Sequence, residues 1–160
     1  MLPAAPPKPL TLIDRIQDRF PDFDPAPDLG SRIGSVEWFR GVATCAGLIL
    51  LSKRIASGAE RGGQPTLGLL DVSVVRNGFG RQLDSFEADL QVKGFDAPLR
   101  AIFIRAPIIY DVGPGVDVLS TVDDKVVMVQ QGKLLAAAFH PELLSDDRIH
   151  AHFLDAVVEH

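Results

Sequence analysis

The chain contains very little cysteine, since Cys45 stands alone among 160 residues. One cysteine cannot form an internal disulfide, which fits a reducing compartment, and we therefore expect a cytoplasmic protein. Long apolar runs are also missing, because no stretch reaches the roughly 18 residues that a membrane-spanning helix needs. The first residues show no apolar signal core flanked by basic residues. These absences predict a protein with no membrane partner.

An excess of positive charge is lacking as well. The 16 lysines and arginines are outnumbered by 21 aspartates and glutamates, which gives a formal net charge of −5 and an isoelectric point near 5.3. Phosphate backbones are bound by basic surfaces, so no nucleic-acid partner is expected. Hydrophobic residues make up 46% of the sequence. A chain of this length and composition predicts one globular domain with a core of its own.

Proline is distributed unevenly along the chain. Seven of the twelve prolines fall within the first 27 residues. Because proline lacks a backbone N–H, this segment is unsuited to a central strand and is poor helix material at its start. We therefore predict a proline-rich N-terminal arm at residues 1–41, with one short amphipathic helix between Leu12 and Phe20, and a globular domain at residues 42–160.

Beyond the arm, the hydrophobic pattern predicts a helix and several strands. The run that follows Cys45 is typical of a helix that extends to Ala56 and is ended by Gly58. Apolar or alternating segments predict strands at 67–75, 86–92 and 99–104, a hairpin of 126–129 and 134–139, and a helix capped by Ser145 with Ile149, Phe153, Leu154, Val157 and Val158 on one face. This order of elements predicts an α/β layered domain.

Cys45 and a His-Pro-Glu element far downstream provide the parts of a nucleophilic site. A thiolate nucleophile needs a base to manage its proton, and the base needs a third group to hold its tautomer. His140 and Glu142 follow a strand predicted to end at Phe139, so both can face one cleft with the carboxylate behind the imidazole. A helix start at Cys45 favours thiolate. The alternatives are a buried structural thiol and an ordinary histidine beside an exposed charge.

The arginines and the remaining histidines are weaker candidates for substrate-binding or metal-binding residues. Arginine makes planar, bidentate contacts with carboxylates, so Arg76 or Arg105 could bind the α-carboxylate of an amino-acid substrate, with surface ion pairs as the alternative. His150 and His152 are two apart on a predicted helix and do not share a face. The Gly-Pro-Gly sequence at 113–115 indicates a turn and not a phosphate-binding loop. We therefore expect no metal ion and no cofactor.

Five blocks of sequence, spread over about residues 42 to 155, carry a family resemblance. They are TCAGLILL at 44–51, LGLLDV at 67–72, RNGFGRQLDSFEADL at 76–90, FIRAP at 103–107 and FHPEL at 139–143. Together they resemble the glutaminase subunit of pyridoxal 5'-phosphate synthase. The RNGFGRQ and IRAP blocks separate this subunit from other class I glutamine amidotransferases.

The resemblance implies a fold and an activity. The fold is a flavodoxin-like, three-layer α/β domain, and the activity is hydrolysis of L-glutamine to glutamate and ammonia for pyridoxal phosphate (vitamin B6) synthesis. The ammonia passes to a barrel-shaped synthase subunit, which is the implied partner. Carried over position by position, Cys45 is the nucleophile that forms a glutamyl thioester, His140 is the general base and acid, and Glu142 is its orienting partner.

The resemblance also implies a substrate site. The family's glutamine-contacting arginine falls on Arg76, and its Ile-Arg backbone contact falls on Ile104 and Arg105. The N–H of Ala46, the residue after the nucleophile, is implied as one donor of the oxyanion hole.

The family pattern is incomplete upstream of the cysteine. Family members open with a strand that ends in Leu-Gln-Gly and later carry a Pro-Gly-Gly-Glu-Ser loop that supplies the other oxyanion donor. Neither motif occurs in this sequence, and Ala43 stands where the family has glycine, so the N-terminal strands of the fold are expected to be missing. The alternative function is a catalytically impaired, truncated remnant that binds the partner. A cysteine-dependent hydrolase of another family has only the triad in its favour.

Overall fold

A computed structural model of the chain describes residues 41–57, 65–80 and 84–155. The predicted arm up to residue 40, including its short helix, lies outside the described residues, as do Gly58, Val157 and Val158. The elements that follow are numbered within the described ranges. No helix in these ranges is long and apolar enough to cross a membrane.

The described chain is rich in strands and has two short α-helices. In chain order the elements are β1 (Gly41–Thr44), α1 (Ala46–Leu51), β2 (Ser52–Ser57), β3 (Leu70–Val75), β4 (Ser85–Leu90), β5 (Leu99–Ile104), β6 (Ile108–Val112), β7 (Asp117–Val122), β8 (Lys125–Gln131), β9 (Leu134–Ala137), a 3₁₀ turn (Pro141–Leu143) and α2 (Arg148–Phe153).

Seven of the strands form one mixed sheet. The strand order is β1-β9-β8-β6-β3-β2, and β7 pairs with β8 outside this path. β1 and β9 run parallel, with Thr44 opposite Ala137, so both strands end at the same edge of the sheet. β4 and β5 form a separate antiparallel pair. The parallel β1–β9 pair and the separate β4–β5 pair are the parts of the fold that carry the candidate site.

The core of the sheet lies at β8, β9 and the residues that follow them. Every residue from Leu134 to Phe139 is 1% exposed or less, as are the three central apolar residues of β8. A strand covered on both faces needs no alternation of polar and apolar residues, which explains the continuous apolar run of β9. The predicted hairpin is confirmed, because β8 and β9 pair antiparallel across a turn at Gly132.

The strand predictions at 86–92 and 99–104 are confirmed as β4 and β5. Both strands alternate, and β5 buries Leu99, Ala101 and Phe103 while its other face bears Arg100 and Ile104. The strand predicted at 67–75 begins later, at residue 70, because the preceding segment contains a glycine with a left-handed φ of 65°. β6 and β7 are short and half-exposed, and the hydrophobic pattern did not predict them.

The first helix is shorter than predicted. α1 has six residues, and the segment up to Ala56 continues as β2, which pairs in parallel with β3. The hydroxyl of Ser52 donates to the carbonyl of Ile49 at 2.7 Å, and the N–H of Leu67 donates to the carbonyl of Leu50 at 2.7 Å. These bonds satisfy carbonyls that a longer helix would have used. Sheet pairing therefore replaces the second half of the predicted helix.

The closing helix also starts later than predicted. α2 begins at Arg148, so Ser145 is not its cap. At the start of the helix, the carboxylate of Asp146 accepts a hydrogen bond from the N–H of Arg148 at 3.1 Å. Ile149 is fully buried as predicted, whereas Leu154 is 55% exposed. The predicted apolar face is therefore wrong at Leu154, where the α-helix passes into a π-helical turn.

Candidate active site

Cys45 occupies a sharp turn between β1 and α1. Its backbone has φ 46° and ψ −105°, a combination that residues with a side chain rarely adopt. The N–H of Cys45 donates to the carbonyl of Ala137 at 2.9 Å, which ties the turn to the end of β9. A strained residue between a strand and a helix presents its side chain away from the sheet, as the nucleophile of an α/β-hydrolase does.

The thiol of Cys45 is half-buried and protonated at neutral pH. Burial raises its pKa above the ordinary value of 9.0, the charge of Glu142 adds to this rise, and a hydrogen bond from the N–H of Ala46 opposes it. The sulfur lies 3.7 Å from the carbonyl oxygen of Ile104, to which the S–H donates. The N–H at the helix start does favour thiolate, as predicted, but burial has the larger effect, so the pKa of the thiol is raised and not lowered. A helix of six residues has a weak dipole, and burial outweighs it.

His140 and Glu142 form a hydrogen-bonded pair just beyond the core. The Nδ1 of His140 lies 2.7 Å from Oε1 of Glu142. Partial burial acts to raise the pKa of Glu142, but the hydrogen bond from His140 and a backbone hydrogen bond outweigh it, so this pKa lies below its ordinary value. An ionised carboxylate only accepts hydrogen bonds, so Nδ1 of His140 is assigned as the donor to Glu142, and in the neutral ring this tautomer leaves Nε2 as an acceptor. The predicted carboxylate behind the imidazole is thus present.

Strand β5 brings the thiol and the imidazole segment to one place. The N–H of His140 donates to the carbonyl of Ile102 at 2.9 Å, and the thiol of Cys45 donates to the carbonyl of Ile104. Carbonyls two residues apart on a strand point the same way and are about 7 Å apart. Because β1 and β9 also end at one sheet edge, Cys45 and His140 share one rim of the molecule.

The same strand end holds the predicted substrate-binding residues. Arg105 follows Ile104 directly, has a left-handed φ of 45°, and donates its N–H to the carbonyl of Asp84 at 2.6 Å. The N–H of Gly78 donates to the carbonyl of Ala106 at 3.1 Å and so attaches the turn at 76–79 to this segment. We call residues 102–106, which anchor all of these contacts, the rim segment.

Arg76 and Ala46 lie at the edges of this arrangement. Arg76 begins the turn at 76–79 and is exposed, and a glycine is required two residues later because a Cβ at Gly78 would overlap the side chain of Ile108. The N–H of Ala46 points at the sulfur of Cys45. The structure thus connects Arg76 to the rim segment through the backbone, and it gives no direct contact between Arg76 and Cys45 within the described residues.

Sequence reasoning missed two contributors to the site. The carbonyl of Ile102 holds the catalytic candidate His140, and the carbonyl of Asp84 holds the substrate-binding candidate Arg105, whose guanidinium also lies 3.7 Å from the Asp84 carboxylate. The available signal was the alternation of β5, which leaves Ile102 and Ile104 on the face away from the core. Within the described ranges, no three His, Cys, Asp or Glu side chains are grouped so that they could hold a metal ion.

Comparison with known proteins identifies the protein family. A family model described as SNO glutamine amidotransferase matches residues 33–159. The chain belongs to the SNO glutamine amidotransferase family. It is 50% identical over 149 residues to the pyridoxal 5'-phosphate synthase subunit PdxT of Pelotomaculum thermopropionicum, with 92% of this chain and 71% of the relative covered. The PdxT subunit of Niallia circulans is 56% identical over 116 residues, with 72% of this chain and 59% of the relative covered.

A solved structure supports the same fold. A crystal structure of a glutamine amidotransferase superimposes with a TM-score of 0.67 at 48% sequence identity, covering 73% of this chain and 60% of that one. The predicted α/β, flavodoxin-like class of fold is confirmed by this likeness. The chain spans only 59% of the Niallia circulans relative and 59% of its counterpart from Kosmotoga olearia. The resemblance to the glutaminase subunit of pyridoxal 5'-phosphate synthase, drawn from sequence blocks, is also confirmed.

Proposed function

We propose that this chain hydrolyses L-glutamine to glutamate and ammonia, as the glutaminase subunit of a pyridoxal 5'-phosphate synthase. The observation that carries the proposal is the common rim, where a strained cysteine and a hydrogen-bonded His140–Glu142 pair are both held by β5. The family membership and the names of the relatives support the proposed substrate class and assembly. We place this function in the cytoplasm, as the single cysteine suggests.

The proposed reaction begins with a proton transfer. Because the Cys45 thiol is protonated at neutral pH, it needs a base, and Nε2 of His140 takes its proton. The sulfur then attacks the side-chain carbonyl carbon of glutamine and forms a tetrahedral intermediate whose oxyanion accepts the N–H of Ala46. His140 returns the proton to the departing nitrogen, and ammonia leaves a glutamyl thioester.

The second half of the reaction releases glutamate. His140 takes a proton from a water molecule, which attacks the thioester carbon, and the same proton returns to sulfur as the carbon–sulfur bond breaks. Glu142 holds the tautomer of His140 throughout and stabilises the imidazolium that forms twice per cycle. One water is consumed, and one glutamate and one ammonia are formed.

The proposed substrate site uses the rim segment. Arg76 and Arg105 supply guanidinium groups for the α-carboxylate of glutamine, because the planar guanidinium fork matches the carboxylate geometry. Main-chain groups of Ile104 and Arg105, beside the left-handed φ of Arg105, are the proposed contacts for the α-amino group and the amide of glutamine. A barrel-shaped synthase subunit is the proposed partner and the acceptor of ammonia.

The test combines labelling with turnover. A diazo-ketone analogue of norleucine, which mimics glutamine, should label Cys45 stoichiometrically, as read by intact-mass and peptide mass spectrometry. L-glutamine should protect the thiol and D-glutamine should not. Ammonia release is then measured with and without a pyridoxal 5'-phosphate synthase partner, with Cys45→Ser as the control.

The outcomes distinguish the two functions weighed for this chain. Cys45-dependent ammonia release supports the glutaminase. Labelling that persists in Cys45→Ser, or that L-glutamine fails to slow, contradicts it. Binding of the synthase partner without either labelling or ammonia release would identify the impaired, partner-binding form instead.

A further inference from the structure

The segment that follows the core strand β9, residues 138–148, is held against the β4–β5 hairpin at both ends. At the upstream end, the N–H of His140 donates to the carbonyl of Ile102 at 2.9 Å. At the downstream end, the guanidinium of Arg148 donates to the carbonyls of Ala97 and Pro98 at 2.8 and 2.9 Å, just before β5 begins. The two anchors lie near opposite ends of the same strand.

Arg148 is itself held in a fixed orientation. Its Nε lies 3.0 Å from Oδ1 of Asp146 and its Nη2 lies 2.6 Å from Oδ2, which is a bidentate pair. Its guanidinium also stacks over the ring of Phe95 at 5.5 Å. A planar group with five donors can serve four acceptor oxygens at once, and a lysine ammonium cannot. The identity of the residue therefore matters at this position.

Glu142 lies between these two anchors, in the 3₁₀ turn. The internal hydrogen bonds of this turn are long, at 3.3 Å from the N–H of Leu143 to His140 and 3.4 Å from the N–H of Leu144 to Pro141. Turns of this kind have poor hydrogen-bond geometry and little stability of their own. The side chain of Glu142 is 50% exposed, so packing does not fix it either. Apart from the buried Pro141 before it and its contact with His140, Glu142 is held only through the two ends of the segment.

We propose that Arg148 is a positioning residue of the glutaminase site: by fixing the downstream end of this segment on the β4–β5 loop, it holds Glu142 against the imidazole of His140. The inference rests on the proposed function and extends it to a residue remote from the thiol. Arg148 acts through Glu142, so its loss affects turnover and leaves glutamine binding unchanged.

The first test compares Arg148→Ala and Arg148→Lys with Arg100→Ala. Arg100 lies on the same hairpin and pairs with Glu87 and Asp89, so it is a matched control. We expect kcat to fall by about 10-fold or more in Arg148→Ala, since a small misplacement of a catalytic group can cost about 10²-fold, with KM for glutamine unchanged. Arg148→Lys should retain part of the rate, and Arg100→Ala should retain all of it.

A double variant shows whether Arg148 acts through the carboxylate. In the Glu142→Gln background, adding Arg148→Ala should cost nothing further, because the group that Arg148 positions is already lost. An Arg148→Ala effect of the same size in both backgrounds would overturn the proposal, as would a rise in KM with unchanged kcat. Arg148→Lys, which keeps the charge, serves both comparisons if the alanine variant does not fold.

A second measurement does not require turnover. Cys45 is the only thiol in the chain and senses the charge of Glu142, so the pH midpoint of its reaction with iodoacetamide reports where that carboxylate lies. The midpoint of Arg148→Ala should move in the same direction as that of Glu142→Gln. A midpoint equal to that of the unmodified chain overturns the proposal. If the unmodified chain does not hydrolyse glutamine, the proposed glutaminase function is refuted. The pH midpoints of alkylation then still show whether Arg148 holds Glu142 in place.

Discussion

The β8–β9 hairpin and the rim segment are neighbours with opposite properties. The centre of β8, all of β9 and the residues up to Phe139 are apolar and almost completely buried, and β8 and β9 pair without a register shift. Of the five non-glycine residues with a left-handed φ in the described ranges, three lie in the rim segment or are bonded to it. They are Arg105 within the segment, Cys45, whose thiol donates to Ile104, and Asn77, in the turn that Gly78 joins to Ala106. Strained residues of this kind cost on the order of 1–3 kcal/mol each and persist where the surroundings hold them.

The difference between the two regions has a physical reason. The turn at Cys45 is bonded to Ala137, the last residue of β9, and His140 directly follows the buried Phe139. The core therefore supplies the rigid base from which the rim residues project. Stability is concentrated in one region and strain in the adjoining one, so substitutions in the two regions should have separable effects on unfolding and on chemistry.

The largest expected effect comes from removing the reactive groups at the rim. We expect Cys45→Ala to lower kcat for glutamine hydrolysis by at least about 10⁴-fold, and the double variant with His140→Ala to be no slower than Cys45→Ala alone, because groups that act as one unit are non-additive. Ammonia release in the presence of the synthase partner measures this. If the two single losses are small and simply multiply, the triad assignment is wrong.

The next effect is on stability and comes from the core. Leu135→Ala should lower the free energy of unfolding by about 2–5 kcal/mol, because it leaves a cavity in a fully buried strand. Ile104→Ala removes a side chain of the same size from the rim, where it is 40% exposed, and should change this free energy by less than about 1 kcal/mol. Urea unfolding of both variants gives the comparison. Equal losses would show that the two regions do not differ as described.

A smaller effect is expected for substrate binding at the rim. Arg76→Lys keeps the charge but loses the planar fork, so glutamine binding should weaken by about 1–3 kcal/mol. Arg100→Lys provides the control, since this exposed arginine pairs with carboxylates on its own hairpin. The measurement is KM for glutamine. An unchanged KM in Arg76→Lys would show that this arginine is only part of the surface.

Backbone strain at Cys45 should be measurable directly. Glycine adopts positive φ without steric cost, so Cys45→Gly should be more stable than Cys45→Ala by about 1 kcal/mol. Both variants lack the thiol, and they differ in the Cβ atom. Chemical denaturation of the pair tests this, with Ala46→Gly as the control because that residue has no positive φ. A less stable Cys45→Gly would show that the turn is relaxed.

The smallest effect concerns the proton on the thiol. Because the charge of Glu142 contributes to the raised pKa of Cys45, Glu142→Gln should lower that pKa, while burial, the larger cause, keeps it above its ordinary value. The pH midpoint of alkylation by iodoacetamide measures it. Asp117→Asn, which removes an exposed carboxylate on β7, should leave the midpoint unchanged. A midpoint that rises in Glu142→Gln would contradict the assigned arrangement.

The same raised pKa makes a prediction about stability at alkaline pH. A thiol that holds its proton more tightly in the folded state than in the unfolded state contributes stability below pH 9.0, the ordinary value. That contribution is lost as the pH rises through the folded-state value. The free energy of unfolding should therefore fall more steeply with alkaline pH in the unmodified chain than in Cys45→Ala.

Local sequence patterns were enough to predict several parts of the molecule. The alternation of β4 and β5 and the apolar β8–β9 hairpin follow from spacing along the chain, because each strand pairs with its nearest neighbour in sequence. The hydrogen bond between His140 and Glu142 could be predicted for the same reason, since the two residues are two apart. The five sequence blocks were also enough to indicate the family.

Long-range contacts decided the rest. The helix after Cys45 ends early because of pairing between β2 and β3, and the thiol keeps its proton because burial outweighs a short helix dipole. The role of β5 as the strand that holds both Cys45 and His140 depends on backbone carbonyls, which every residue possesses and no side-chain pattern reveals. The sequence by itself determined the candidate reactive groups. The tertiary structure decided the raised pKa of Cys45 and the common position of these groups, because burial and strand pairing depend on residues far apart in the chain.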